Sequence, residues 1–311
     1  KKKAGVGLFT YPPIEFTVPA PWDGRSIQSI LRSELDFSRT AIRRLKRGPF
    51  VLKNHVPAAL WEPVRAGDQI TITIETEGPK LPGDDLPLDI CYEDADLVVV
   101  NKAPGMVVHP TKGHVRGTLA NALVHHWNSR GESAGFHPVH RLDRWTSGLL
   151  VIAKSPWAHQ QLDIALQKHR LVREYLAIVA GRLAYDSGVI TAPIRLTEDQ
   201  LHRGVAREGQ AARTRYRTLK RWDDASLVFC RLFTGRTHQI RVHLAYMGHP
   251  ILGDVFYGNE DPRIDRPALH ACRLRLPHPR TREVLSFTCP LPEDMQRALA
   301  LATSGKNLDN E

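Results

Sequence analysis

No run of 18 or more apolar residues occurs in this chain, so no helical membrane span is expected. Nucleotide-cradling loops are missing too. Neither a GxxxxGK[ST] nor a GxGxxG stretch is present, which disfavours nucleotide or dinucleotide cofactors, and no cofactor is expected. Cysteine is scarce. Cys91, Cys230, Cys272 and Cys289 are the only four in 311 residues, and no two form a CxxC pair. That spacing supports neither a disulfide framework nor a zinc site, and it fits reduced thiols in a cytoplasmic protein. The 15 histidines raise the question of a metal. Their close pairs, His125-His126, His137-His140 and His238-His243, do not extend to a ligand set, so no metal is expected. Acid is in deficit, with 33 Asp plus Glu against 43 Lys plus Arg, a net charge of +10. The excess favours a polyanionic partner, nucleic acid ahead of an anionic membrane surface. The basic opening Lys1-Lys2-Lys3 is followed by no apolar core of the signal-peptide kind.

The length is that of two domains. After an N-terminal extension, residues 1–23, a small module is expected over 24–77. In it Ile27, Ile30, Leu31 and Leu35 recur at helical spacing. Ser38 is a candidate cap for a second helix that Gly48 would stop. That helix and its end carry Arg39, Arg43, Arg44, Lys46 and Arg47 with no acid among them. A charge run is commonly a solvated face. A run of one sign lacks the opposite charges that normally support an exposed helix, and a phosphate-contacting role explains it better. Residues 78–88 hold Pro79, Pro82, Pro87, Gly78 and Gly83, the composition of a linker that would let the module reorient. A larger unit is expected over 89–300, followed by a tail, 301–311. Leu97–Val100, Leu176–Val179, Thr214–Leu219 and Leu227–Phe233 read as strands. Ser155-Pro156 opens a helix to about Lys168, and Thr237 is a candidate cap for one reaching Met247. Strands outnumber crossover helices, so the fold class is α+β with a mixed, mainly antiparallel sheet. A monomer is expected.

The most informative segment is His140-Arg141-Leu142-Asp143-Arg144-Trp145-Thr146-Ser147-Gly148-Leu149-Leu150, a polar loop entering an apolar strand. It sets one carboxylate between two arginines. Arg141 and Arg144 are expected to hold Asp143 ionised, ready to act as nucleophile or base, unless the three form only a surface ion-pair cluster. Further segments are Tyr92-Glu93-Asp94 through Lys102 to His109-Pro110, Arg173-Glu174-Tyr175-Leu176-Ala177, Thr234 to His243 (TGRTHQIRVH), and Gly248 to Asp254 (GHPILGD).

In this order the segments resemble the RluA/RluD-type pseudouridine synthases, over roughly residues 89 to 295. The front module, through Phe37-Ser38-Arg39, the basic helix and Ala66-Gly67-Asp68-Gln69-Ile70, resembles an S-four-type RNA-binding domain. The resemblance implies a pseudouridine synthase fold with a central RNA-binding cleft, beside a small α/β RNA-binding domain. It implies an isomerase acting on uridine in RNA, with ribosomal RNA favoured and transfer RNA the alternative. Asp143 would be the essential carboxylate, Tyr175 the residue stacking on uracil, and Arg241 the partner of Asp143. Arg141 would fill the gap left by a flipped base or pair with phosphate or with Asp143. Arg144, Arg236 and His140 are candidate RNA contacts. Trp145 stands where the family often has an acidic or small residue; it would pack beside the base or cover the loop. Competing readings are a non-catalytic RNA-binding or ribosome-assembly factor and a histidine-based metal hydrolase. The isomerase and the hydrolase separate on one experiment: turnover should be unaffected by EDTA, whereas loss with recovery on adding zinc would favour the hydrolase.

Overall fold

The computed structural model describes residues 11–74, 81–111, 115–132 and 134–304. The front module begins earlier than its composition indicated. Strand β1 (Ile14–Thr17) leads to helices α1 (Ile27–Ser33) and α2 (Arg39–Leu45), then to β2 (Val51–Lys53), β3 (Val56–Pro57) and β4 (Gln69–Ile72). β1 pairs antiparallel with β4, Ile14 opposite Ile72 and Phe16 opposite Ile70. Residues 14–17, assigned above to an extension, are thus the edge strand of the module's sheet. Ser26 and Ser38 cap the two helices, their hydroxyls accepting from Ser29 N and Ala41 N. Ile42 and Leu45 of α2 are buried, while Arg39, Arg43, Arg44, Lys46 and Arg47 all face solvent.

The larger unit runs β5 (Ile90–Glu93), β6 (Leu97–Lys102), α3 (Leu119–Ser129), β7 (His137–Pro138), β8 (Ser147–Ala153), α4 (Pro156–Gln167), β9 (Val172–Ala180) and β10 (Ser187–Ile190). A hairpin, β11 (Ile194–Leu196) with β12 (Arg203–Val205), precedes β13 (Thr214–Arg221), β14 (Ala225–Leu232), α5 (Gln239–Tyr246), β15 (Leu269–Pro277), β16 (Val284–Thr288) and α6 (Glu293–Ser304). One sheet runs in the order β10-β13-β14-β9-β15-β8-β6-β5, with β16 on β15 and β7 on β8. Every pairing in it is antiparallel except β15 with β8. The mainly antiparallel mixed sheet is therefore present. α6 carries the chain to Ser304, so the expected tail begins inside a helix.

β8 is buried along its whole length because helices cover it on both sides. Val98, Val100, Leu150 and Ile152 pack with Leu119, Leu123 and Trp127 of α3. Leu97, Val99, Leu149 and Val151 pack with Trp157 and Leu162 of α4. α3 was not foreseen. Thr118 starts it with a capping box, its hydroxyl and backbone meeting Asn121.

The front module is packed against the larger unit, and residues 78–80 of the expected linker lie outside the described residues. Its apolar side and the α4 side of the large sheet form one buried cluster. The rings of Phe37 and Trp157 lie 6.3 Å apart. Ser38 N donates to Gln160 Oε1 at 3.2 Å, and Gln161 Nε2 donates to the Leu35 carbonyl at 3.0 Å. Arg280 grips Asp96 with two bonds and donates to the carbonyls of Pro12 and Pro13. Within the expected linker, Asp84 accepts from Gly117 N at 2.8 Å, and the Pro82 carbonyl accepts from Asn121 at 2.8 Å. The free reorientation read from proline content gives way to burial, since separating the units would expose Phe37 and Trp157 to water. Phe37→Ala should cost about 3–5 kcal/mol, as for other buried phenylalanines. Urea unfolding checks this, and an unmoved midpoint would mean the seam contributes nothing.

Candidate functional site

The loop 140–146 enters β8 beside the parallel junction, where Ser147 is level with His270 and Gly148 with Ala271. Gly148 has φ +110°, and a Cβ there would collide with the Ala271 backbone. The approach of the two strands requires glycine. Two buried cations hold the loop from beneath. Lys102 Nζ donates to the carbonyls of Ala103, Met106 and Arg144 at 2.8, 3.0 and 3.0 Å. Arg266 donates to the Trp145 carbonyl at 3.0 Å while bound bidentately to Asp294 of α6. Burial, with Arg266 nearby, pushes the Lys102 ammonium down to about 7.

The facing wall comes from the turn 234–238 and α5. His238, not Thr237, is the N-terminal cap of α5, and it adopts left-handed backbone at φ 56°. Gln239 ties this turn together. Its Oε1 accepts from Thr234 Oγ1 and Arg236 N, and its Nε2 donates to the Arg213 carbonyl and Thr214 Oγ1. Arg241 is buried, as an arginine among Ile240 and Leu244 must be, and it is paired. The pairing differs from expectation. Its strong bonds run to Asp254, at 2.6 and 2.7 Å, and Asp143 lies 3.6 Å from its Nη1. Burial opposes the charge of Arg241, but the Asp254 bonds outweigh it and raise the guanidinium above its usual value. A fully buried carboxylate thus orients the arginine that faces Asp143.

Between these walls is an open cleft lined among others by Arg141, Asp143, Tyr175, Arg236, His238 and Arg241. Asp143 is half-buried, and among the described residues the basic groups within 4 Å of it are the Arg241 guanidinium, at 3.6 Å, and the His238 ring, whose Nε2 is at 4.0 Å and which burial shifts toward the neutral form. Neither Arg141 nor Arg144 forms an ion pair with it among the described residues, which corrects the expectation that these two arginines hold its charge and also removes the alternative of an ion-pair cluster. Arg144 instead donates from Nε to the Gly105 carbonyl and stacks on Trp145, 5.1 Å from the ring centre. Trp145 covers the loop against Gly105. Tyr175 of β9 is 3% exposed, and burial pushes its phenol up to about 12. Arg236 is exposed and bonds the Ala211 carbonyl and Gln210. His140 is no RNA contact in this structure. It lies buried with neither ring nitrogen bonded, and desolvation with nearby Arg173 pushes it down to about 3. The five cations of the basic helix line no part of the cleft.

Asp254, His238, Lys102 and Arg266 were not singled out as site residues. Asp254 ends the segment GHPILGD, and His238 sits inside TGRTHQIRVH. The signal was there as motif membership, but the partners lie 13 and 95 residues away in the chain. Another side-chain cluster, Asp94, Asp96 and His278, brings ligand-type atoms within 4.8 Å of one another. Its oxygens are engaged by Tyr92, His278 and Arg280 at the seam with the front module.

The family model described as RNA pseudouridylate synthase matches residues 96–246. An uncharacterized RNA pseudouridine synthase of Bacillus subtilis, YlyB, is 42% identical over 293 residues, spanning 91% of this chain and 95% of its own. The ribosomal large subunit pseudouridine synthase D of Vibrio parahaemolyticus is 40% identical over 86% of this chain and 87% of its own. Among solved structures, human RNA pseudouridylate synthase domain containing 1 superposes with a TM-score of 0.56 at 29% identity, covering 67% of this chain and 85% of that one.

His140 makes a pH prediction. Its value falls from 6.5 to about 3 on folding. The unfolded chain therefore binds a proton that the folded chain refuses, and the stability from neutral His140 is complete above pH 6.5 and lost as pH falls toward 3. His140→Leu should flatten the decline of stability across that window, as read by urea unfolding at pH 7 and pH 5. An unchanged slope would place the acid sensitivity elsewhere, for instance at His137 or His270, both pushed down to about 4 by burial.

Proposed function

Because the chain belongs to the RNA pseudouridine synthases of the RluA/RluD type, which isomerise uridine in RNA to pseudouridine, we propose that Asp143 is the carboxylate on which its reaction turns. The observation that supports this role is convergence. Asp143, Tyr175 and Arg241 come from a loop, a strand and a helix and line one cleft. Isomerisation breaks the bond from uracil N1 to the ribose, turns the base, and joins C5 to the same sugar carbon. N1 gains the proton that C5 gives up, so no oxidant or reductant is consumed. The protein must hold the detached base, keep water out, and supply a carboxylate beside the sugar.

In this reading Tyr175 is the wall against which uracil lies. Its phenol stays protonated because an ionised oxygen would be desolvated there. Arg241, oriented by Asp254, fixes the Asp143 carboxylate toward the cleft. A base inside a duplex cannot reach Asp143, so the nucleotide is extruded at a cost of a few kcal/mol. Arg141, exposed beside Asp143, is placed to enter the vacated position, and Arg236 and Arg144 to meet the backbone. The front module, with its five exposed cations, is a further RNA contact of the S-four type.

The substrate we propose is large-subunit ribosomal RNA, because relatives spanning most of the chain carry that name. Action in the cytoplasm as a monomer accompanies this reading. Asp143→Asn keeps the shape of the side chain and removes its charge. Turnover should fall below about a hundredth of wild type, while RNA binding is retained, since general acid–base or nucleophilic groups contribute at least about that much. Retained turnover would remove Asp143 from the chemistry. Mapping pseudouridine in cells lacking the protein separates the substrates: a ribosomal site should be lost, and loss from transfer RNA alone would overturn that assignment.

A further inference from the structure

Arg173 is 6% exposed, and no carboxylate pairs with it among the described residues. Its Nη2 donates to the Thr234 carbonyl at 3.3 Å, and its Nε is buried without a partner. A buried cation is normally paired, because removing it from water alone is costly. Beside it is a tight notch lined by Arg173, Arg231, His169 and apolar side chains, with no acid. Leu232 lines both this notch and the cleft that holds Asp143, so the two adjoin.

Arg231, at the rim of the notch, belongs to an unusual sheet face. Along β13, residues alternate between buried Thr214 and Tyr216 and exposed Arg213, Arg215 and Arg217. In register, Arg215 is opposite Arg231 and Arg217 is opposite Phe229 on β14, and Arg231 is opposite Glu174 on β9. Tyr175, next to Glu174, points the other way, so this face is the reverse of the one lining the cleft. The phenylalanines act as platforms. The Arg213 and Arg231 guanidiniums sit 4.7 and 5.4 Å from the Phe233 ring centre, and that of Arg217 sits 5.8 Å from Phe229. These arginines have no acidic partner among the described residues, and Glu174 is engaged by Arg273 at 3.8 Å. Cross-strand arginines repel one another. A face that keeps them aligned on aromatic rings is built for an external polyanion.

We infer that this face, Arg231 with Arg213, Arg215 and Arg217, is a second RNA-backbone site that receives the strand leaving the cleft past the rim of the notch. The occupant is phosphate, not base, because the aromatic faces are already covered by guanidinium. This rests on the RNA-modifying reading above, and it adds a path for the strand beyond the target nucleotide.

The test uses the full chain and a fluorescein-labelled oligouridine, followed by anisotropy across a salt series. Replacing Arg215, Arg217 and Arg231 together by glutamine should lower the slope of log affinity against log salt by about 2, near 0.7 for each lost single-strand phosphate contact. Arg231→Lys should retain its contribution. Oligouridine with uncharged methylphosphonate linkages should bind wild type and the triple variant alike. All three residues are exposed or half-exposed, and thermal melting confirms the fold of the variant. An unchanged slope overturns the site. So does competition by polyglutamate equal to that by RNA, which would mark a surface for an acidic protein. Binding is read without turnover, so failure here is distinct from failure of the isomerase reading, which wild-type product formation tests.

Discussion

Where β8 and β15 run parallel, their backbones approach so closely that only glycine fits at position 148. Everything at the site hangs from that junction. The loop bearing Asp143 ends there, and the Arg144 and Trp145 carbonyls just before it are each held by a buried cation. Lys102 reaches from the neighbouring strand β6, and Arg266 reaches across from the approach to β15. A loop anchored through its own carbonyls cannot drift, which is what a carboxylate needs if it is to meet a sugar carbon within half an ångström or so.

The opposite wall depends on a second buried pair. Arg241 is buried beside Ile240 and Leu244, and Asp254 supplies the paired carboxylate that a buried charge requires. That pair contributes less to stability than to direction, since buried ion pairs often only break even against desolvation. Its product is orientation: one guanidinium nitrogen left facing Asp143 across 3.6 Å. Tyr175 closes the cleft from β9 and is fixed by burial rather than by a bond. Loop, helix and strand thus converge because three different kinds of constraint, steric, electrostatic and hydrophobic, meet at one place.

Cation distribution organises the rest. Among the described residues, positive charge gathers on the solvent face of α2, along the cleft at Arg141 and Arg236, and on the outer face of β13 and β14. The net charge of +10 is therefore not evenly smeared. Docking of the front module onto α4 through Phe37 and Trp157 fixes the first of these settings relative to the other two. The three settings therefore hold one fixed geometry rather than belonging to two tethered parts.

By itself the chain determined what repeats locally and what is contiguous. Ser38 before Ala41, Ile42 and Leu45 pointed to a helix start and Leu97–Val100 to a buried strand, and both are present. The ordered segments around Asp143, Tyr175 and Arg241 identified the chemistry, because each motif is short enough to be read in one place. Partnership was another matter. Asp143 has arginines on either side in sequence, yet Arg144 turns away onto Trp145, and the cation it meets lies 98 residues on. His140 looked like a contact because it neighbours the loop, but strand packing put it inside. The proline-bearing stretch looked loose because composition reports backbone freedom and not the bonds that Gly117 and Asn121 make to Asp84 and Pro82. Only the tertiary structure decided these, since ion pairing, burial and docking depend on distances between residues far apart in the chain, and sequence spacing carries no such distances.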